Sequence, residues 1–358
     1  MHNEEHIKEC IASVQQSEGD YFQADDTAII QAYKKEEENK SGIAIKTLAI
    51  LGGFLACLAF IGFLFITGIF SSGGGLIIFG VLLLGSAIGI SKTYDKVVHT
   101  TTSIAMYLIG LLLINFGCAE LNLDINTMAL ISLGIGILTL GINQTLILSF
   151  VSVITISVCL LILILSNDHH SLIHLYTASM AALFTYIMLH ETRLITMSLK
   201  LSKLYRPIRS GLLFSLIFGL IALGKKGLIE ASPNSIWISS IAFSIIVVYL
   251  VYQILQQLKI HDQKKKTMIY ILSILVLLST VFAPSILGAL LIILVCFLVN
   301  YKTGVAIGIA ALIYFISQYY YDLNYTLLTK SIILFVSGIL FLIFYLFITK
   351  KSTPHEEV

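Results

Sequence analysis

The sequence predicts an all-α integral membrane protein with about twelve transmembrane helices. Of its 358 residues, 57% are hydrophobic and only 12% are charged, whereas a soluble domain has roughly 45–50% apolar and about 25% charged residues. With a mean hydropathy of +0.94, the chain has too little polar surface to keep a folded globule of this size in water. These values exclude a cytosolic enzyme, a secreted domain and a disordered chain.

An acidic segment, residues 1–42, precedes the first apolar run. It contains ten acidic residues against four lysines. Apolar residues recur at helical spacing from Ile7 to Val14, and a second helix begins after Asp25 or Asp26, where an aspartate can cap it. We therefore predict a short cytoplasmic helical hairpin, which offers a docking element for a partner in a membrane complex.

Twelve apolar runs follow this segment, and a helix needs about 20 residues to cross the hydrocarbon core. The runs cover residues 43–70, 74–91, 102–119, 127–142, 145–165, 171–190, 207–223, 236–258, 268–283, 285–300, 303–318 and 331–349. Several of them are shorter than the bilayer core requires. A re-entrant segment or a merged pair would therefore reduce the count to ten or eleven.

The positive charges agree with this arrangement of spans. If the N-terminus is cytoplasmic, 19 of the 22 Lys and Arg residues fall in cytoplasmic segments, as the positive-inside rule requires. Only Lys225, Lys226 and Lys330 fall on the other side. Both termini are therefore predicted to be cytoplasmic. Because the basic residues lie at membrane edges and do not form a patch with aromatic residues, we expect no nucleic-acid binding.

Changes in charge and apolarity divide the chain into five predicted segments. They are the acidic cytoplasmic segment 1–42, a first transmembrane half 43–190, an amphipathic interfacial helix 191–209, a second transmembrane half 210–349 and a cytoplasmic tail 350–358. On this interpretation each half contains six spans, and Pro207 marks the start of the second half.

The interfacial helix is predicted from its two unlike faces. Apolar residues such as Leu201 occupy one face. The other face carries the cations Lys200, Lys203, Arg206 and Arg209. A helix of this kind lies in the plane of the membrane surface and contacts anionic lipid headgroups. These four residues are therefore the predicted headgroup contacts, and membrane lipids are the predicted partners.

Several glycines recur at the spacing of helix-packing motifs. Gly85 and Gly89 form one such step, and Gly304 and Gly308 form another. Glycines at this spacing let helix backbones approach closely in lipid. We therefore predict that they serve packing, with a hinge or a substrate path as the alternative.

The predicted spans hold almost no ionisable side chains, which in a membrane are costly and usually functional. Asn115 lies late in the third span, and Glu191 and Arg193 end the sixth, where they can pair with each other. This disfavours a proton- or sodium-driven transporter and leaves a carrier of apolar cargo open. His190-Glu191 begins like a zinc-protease H-E-x-x-H motif, but its fifth position is Leu194. We predict no catalytic residue, no cofactor and no enzymatic activity.

The best candidate for a metal site is an outer loop with Asp168, His169 and His170, followed by His174. His170 and His174 are four residues apart and would share a face at the start of a helix. No further acid or cysteine joins them. Solvated histidines in an interfacial loop are the simpler interpretation, so no metal site is predicted.

A polar cluster near the C-terminus combines tyrosines with a lone outer lysine. Its members are Tyr320, Tyr321, Asp322, Lys330 and Ser331. Tyrosines at this position are typical of an interfacial aromatic belt, and Asp322 is the natural partner of Lys330. Such a pair would fix the last hairpin or line an outward-facing cavity, and we favour the structural role.

The same segment resembles the end of a bacterial polytopic membrane family known as domain of unknown function 4401. The matching residues are Tyr320, Tyr321, Leu323, Thr326, Leu327, Leu328, Lys330, Ser331, Ser337 and Gly338. The resemblance implies a multi-pass protein of the bacterial cytoplasmic (inner) membrane. It implies no particular activity, cofactor or catalytic residue.

Two functions fit these observations. The first is a non-enzymatic scaffold or subunit of an envelope complex, with residues 1–42 as its docking element. The alternative is a transporter or flippase for an apolar or amphipathic substrate, because many carriers have twelve spans with both termini inside. A transporter would need a cavity lined by groups such as Asn115, Ser152, Thr155 or Tyr314.

Overall fold

A computed structural model describes residues 72–322, except 94–96, 143–144, 225–235, 260–261 and 282, together with short stretches and single positions on either side. The described part of the chain is helical and contains no strand. Its helices are α1 (Gly73–Thr93), α2 (Val97–Glu120), α3 (Ile125–Ile142), α4 (Leu146–Ser166), α5 (Leu172–Leu189), α6 (Glu191–Met197), α7 (Leu199–Gly224), α8 (Ile236–Gln257), α9 (Gln263–Thr280), α10 (Pro284–Leu298) and α11 (Lys302–Asp322).

The helices follow the predicted apolar runs closely. Ten of the twelve runs coincide with a helix, and eight helices of the described part are long and apolar enough to cross a membrane. Of the other two, α10 has only 15 residues and α9 has three consecutive lysines in its first turn. The first and last predicted runs and the N-terminal hairpin lie largely outside the described residues, so the count of twelve stays a prediction.

The chain divides into two compact units, Met1–Cys159 and Leu160–Val358. In the first unit, α1 and α2 pack with their backbones close together at four glycines. A methyl group on Gly80 would lie 2.8 Å from the carbonyl oxygen of Gly110, and one on Gly117 would lie 2.7 Å from that of Gly73. On each helix the two glycines are seven residues apart, which is two helical turns. They therefore form one continuous line of close approach.

The predicted glycine step is confirmed on α11, whereas the step on α1 has no neighbouring helix among the described residues. Gly304 and Gly308 lie against residues of α10, where an added methyl group would collide with their side chains. At Gly85 and Gly89, nothing in the described part of the chain lies within 4 Å of an added methyl group. Each residue of an α-helix turns the chain by about 100°, which places Gly85 about 140° away from Gly80 around α1. The four-residue spacing was present, but it was on the exposed face.

The core of the second unit is formed by α5, α7, α8 and α10. Fully buried apolar side chains from these helices meet in one cluster, which includes Phe184, Leu216, Leu220, Phe243 and Leu291. Two contacts bring helices close together: Gly219 lies against Thr177 and Tyr176, and Gly288 lies against Leu220. This cluster positions the ends of α5, α7 and α10, where the polar residues described below are found.

The predicted interfacial helix over residues 191–209 is two helices in the structure. Ser198 has an extended backbone (φ −162°, ψ 152°) between α6 and α7, and its hydroxyl accepts a hydrogen bond from the Leu201 amide at 3.1 Å. A serine in this position caps a new helix, which explains the break. Pro207 lies inside α7 and does not start it.

Helix α7 runs from the basic segment directly into the apolar core. Its 26 residues extend about 39 Å at 1.5 Å per residue, whereas the hydrocarbon core is about 30 Å thick. The helix is therefore long enough for its charged first turns to extend beyond the hydrocarbon region. Lys200, Lys203 and Arg206 lie in these turns and are exposed.

Candidate functional site

The four cations predicted to share one face of a helix do not share it. They are three residues apart, and each step of three residues moves the side chain about 60° around an α-helix. Arg209 therefore lies about 180° from Lys200. The structure agrees, because Lys200, Lys203 and Arg206 are exposed whereas Arg209 is half-buried on the packed side of α7. Their contact with lipid headgroups stays a prediction.

Arg209 lies between two tyrosine rings. Its guanidinium carbon is 4.0 Å from the centre of the Tyr301 ring and 5.4 Å from the centre of the Tyr205 ring. Both distances are within the range of a cation–π contact. Tyr205 is one turn earlier on α7, and Tyr301 lies in the turn between α10 and α11. We call Glu191, Tyr205, Arg209 and Tyr301 the Arg209 cluster.

The turn between α10 and α11 fixes the position of Tyr301. Asn300 has a left-handed backbone (φ 58°), and its amide donates to the Phe297 carbonyl at 3.0 Å. The Tyr301 amide donates to the Cys296 carbonyl at 2.7 Å. These two bonds are those of a Schellman motif, in which asparagine can replace the usual glycine. The ring also needs the space that Gly304 leaves, since a methyl group there would collide with it.

The polar atoms of the Arg209 cluster are incompletely paired. Tyr205 is only 4% exposed, and neither its hydroxyl nor the Nε of Arg209 has a hydrogen-bond partner among the described residues. Glu191 and Arg209 both lie near this hydroxyl, but no carboxylate of the described chain is within ion-pair distance of the guanidinium. Arg193, which we expected beside Glu191, has an exposed side chain.

Part of this cluster could have been found from the sequence. Tyr205 and Arg209 are four residues apart, so they must share a face of any helix that contains both. The same counting separates Arg209 from Lys200. Tyr301 gave no such signal, because it is 92 residues away and depends on the turn after α10.

The outer-loop histidines do not converge on one point. His174 is 1% exposed, and its Nδ1 lies 2.9 Å from the hydroxyl of Ser239 on α8. The Nε2 of His170 lies 3.9 Å from a carboxylate oxygen of Asp168. In the part of the chain that the structure describes, no group of three His, Cys, Asp or Glu side chains is arranged to hold a metal ion. His174 is thus a helix-to-helix contact and not a solvated loop residue.

Three of the four polar groups that could line a transport path are hydrogen-bonded. The Asn115 amide donates to the Ser132 hydroxyl at 3.0 Å, and that hydroxyl donates back to the Asn115 carbonyl at 3.2 Å. Ser152 and Thr155 donate to backbone carbonyls of their own helix. The side chain of Tyr314 is exposed. Asn115 and Ser132 therefore link α2 to α3.

Replacing Asn115 and Ser132 with alanine, singly and together, should reveal a coupling between them. We expect a coupling energy of about 0.6 kcal/mol, and at most about 1.7 kcal/mol, as for other hydrogen bonds between transmembrane helices. The measurement is the free energy of unfolding in mixed micelles. Asn115→Ala with Ser86→Ala is the control, since the Ser86 hydroxyl bonds only to carbonyls of its own helix. Equal coupling in both pairs would contradict the assignment.

The predicted C-terminal cluster is only partly described. Tyr320, Tyr321 and Asp322 form the end of α11, and the Gln318 amide nitrogen lies 3.2 Å from both carboxylate oxygens of Asp322. Ser331 is exposed. Lys330 lies outside the described residues, so its pairing with Asp322 stays a prediction.

Comparison with known proteins gives one match. Residues 43–351 match the model of a family described as Domain of unknown function (DUF4401). This range includes all the helices from α1 to α11 and the first predicted span. No curated protein and no solved structure matches the chain.

Proposed function

The chain belongs to the family described as Domain of unknown function (DUF4401), and we propose that it is a non-enzymatic scaffold or subunit of an envelope complex. In this proposal it is a multi-pass protein of the bacterial inner membrane with both termini in the cytoplasm. Within each of the two units the helices are packed together in the membrane. The acidic residues 1–42 bind the partner, and they lie largely outside the described residues.

The observation that carries this proposal is the use of polar side chains in helix packing. The half-buried Asn115 and the buried His174, Ser240 and Ser285 each bond to a group on another helix or at its end. In lipid such bonds hold helices together. The close backbone contact at Gly80 and Gly110 also holds two helices together. Helices packed in this way can serve as a stable membrane anchor for the separate docking segment, residues 1–42.

The same contacts favour the scaffold over a transporter of amphipathic cargo. A path for such a substrate needs polar groups that are free to bind its polar part, and Ser152 and Thr155 already donate to their own backbone. Asn115 is engaged with Ser132. A substrate would have to displace these bonds, and each broken bond would leave a buried polar group without a partner.

Deleting residues 1–40 tests the docking role. We expect the shortened protein to insert into the membrane and remain folded, and to lose a partner that the full-length protein retains in mild detergent. The measurement is the mass of the native complex by size-exclusion chromatography with light scattering. The matched control is deletion of the tail residues 352–358, which are also predicted to be cytoplasmic and should not affect the complex.

Two results would contradict the scaffold. One is a full-length protein that purifies from native membranes alone, with the mass of its own chain and detergent. The other is a complex that survives deletion of residues 1–40 unchanged, which would move the partner's binding site into the membrane helices.

A further inference from the structure

We propose that the Arg209 cluster is a binding site for the phosphate group of an anionic phospholipid. This site is distinct from the exposed cations Lys200, Lys203 and Arg206, which would attract lipid only through general electrostatics. The proposal goes beyond the scaffold function and does not depend on it.

The Tyr301 ring contacts the Arg209 guanidinium without pairing its N–H donors as a carboxylate would. The guanidinium carbon lies 4.0 Å from the centre of that ring, which is a cation–π contact. The five N–H donors of an arginine point outward in the plane of the guanidinium. Among the described residues none of them meets a carboxylate, and Nε has no partner. A phosphate accepts two such donors side by side.

The hydroxyl of Tyr205 supplies a second donor at the same place. Its side chain is 4% exposed, and the oxygen has no hydrogen-bond partner within the described part of the chain. A buried polar group without a partner lowers the stability of the fold. A hydrogen bond from an acceptor to this hydroxyl is therefore more favourable than a hydrogen bond to a solvated hydroxyl. Arg209 also lies close enough to this hydroxyl to interact with it, as does Glu191. One acceptor group could therefore reach both donors if it lies between Tyr205 and Arg209.

Charge favours an anion over a cation at this site. The segments around the cluster, residues 190–210 and 299–302, carry six cations. Their one acid is Glu191, which lies near the Tyr205 hydroxyl. The six cations are Arg193, Lys200, Lys203, Arg206, Arg209 and Lys302.

The position of Arg209 on α7 favours a lipid as the source of the phosphate. The residues before it on α7 include three exposed cations, and the fifteen residues after it, 210–224, carry no charge. Arg209 therefore marks the boundary between the charged and the apolar part of the helix. The phosphate groups of phospholipids lie at this depth in a bilayer, and Arg209 is half-buried but still accessible from outside.

Lipid-dependent thermal stability tests the site. The full-length protein in detergent is titrated with phosphatidylglycerol, with diacylglycerol, which has the same acyl chains but no phosphate, or with sodium phosphate, and the unfolding midpoint is followed. We expect phosphatidylglycerol to raise the midpoint at about tenfold lower concentration than diacylglycerol. Arg209→Gln should abolish this preference, since one charge-assisted hydrogen bond accounts for about tenfold in affinity. Arg206→Gln removes the same charge one turn earlier and should retain it.

Each other outcome has a definite meaning. Equal loss of the preference in Arg206→Gln and Arg209→Gln would overturn the site, because surface charge alone would explain it. Stabilisation by sodium phosphate at the same concentrations as phosphatidylglycerol would overturn the lipid as the source. If Arg209→Gln does not fold, Tyr205→Phe tests the site instead. This variant keeps the ring and removes only the hydroxyl, so the preference for phosphatidylglycerol should fall by about two- to tenfold. An unchanged preference in that variant would overturn the site.

Discussion

Gly80→Ala is expected to lower the free energy of unfolding by about 1–3 kcal/mol, the usual cost of forcing one extra carbon into a packed interior. The added methyl group would lie 2.6 Å from a side-chain carbon of Ile114 and 2.8 Å from the carbonyl oxygen of Gly110. The side chain of Ile114 can move, but the backbone of α2 can give way only if the two helices separate. The measurement is unfolding in mixed micelles as the fraction of SDS is raised.

Gly85→Ala is the matched control for this change. Gly85 is on the same helix, five residues further along, and nothing lies within 4 Å of an added methyl group there. Since alanine favours the helix over glycine by up to about 1 kcal/mol, this variant should be as stable as the wild type or slightly more so. Similar losses in both variants would show that the close approach of α1 and α2 is not what Gly80 provides.

Leu220→Ala is expected to cost about 1–3 kcal/mol. In a water-soluble core such a change costs about 2–5 kcal/mol, part of which is the transfer of the side chain from water. Helices that separate within lipid do not transfer their side chains into water. Only the second part of the cost then remains, which comes from the cavity that the smaller side chain leaves. Leu220 is fully buried and lies against Gly288 of α10. Gly288→Ala should also destabilise the protein, because its methyl group would lie 2.5 Å from Leu220 Cδ2.

The double variant with Leu220→Ala and Gly288→Ala should cost less than the sum of the two. The new methyl group enters space that the shortened side chain has left, and contacting residues couple by about 0.5–3 kcal/mol. Phe218→Ala with Gly288→Ala is the control pair, because Phe218 is on the exposed side of α7 and its effect should simply add. Additivity in both pairs would contradict the contact between Leu220 and Gly288. The unfolding assay is the same.

The positions of the helices could be predicted because each depends on its own residues. An apolar run long enough to cross lipid must form a helix there, since only then are its backbone groups paired. The division at Ser198 does not follow from the helical pattern. The apolar and charged residues over 191–209 predict one continuous helix, and the sequence signal for the break is a single serine, whose hydroxyl caps α7.

The contacts between helices were harder to predict. The spacing of Gly85 and Gly89 was that of a packing motif, but the sequence does not say which face of α1 meets another helix. Predicting the contact at the four glycines Gly73, Gly80, Gly110 and Gly117 requires knowing that α1 and α2 are neighbours. For the candidate site, the place of Arg209 beside Tyr205 follows from counting along α7. The second ring, Tyr301, depends on the left-handed Asn300 and on α10.

The glycine contacts between α1 and α2 have a consequence for biosynthesis. Only three residues, 94–96, separate the two helices in the chain, so their contacts are among the most local that two membrane helices can make. Local contacts form early, because little chain entropy is lost in closing so short a connection. The pair can therefore associate soon after α2 leaves the ribosome and before the second unit is synthesised. It would then enter the bilayer as a preassembled hairpin.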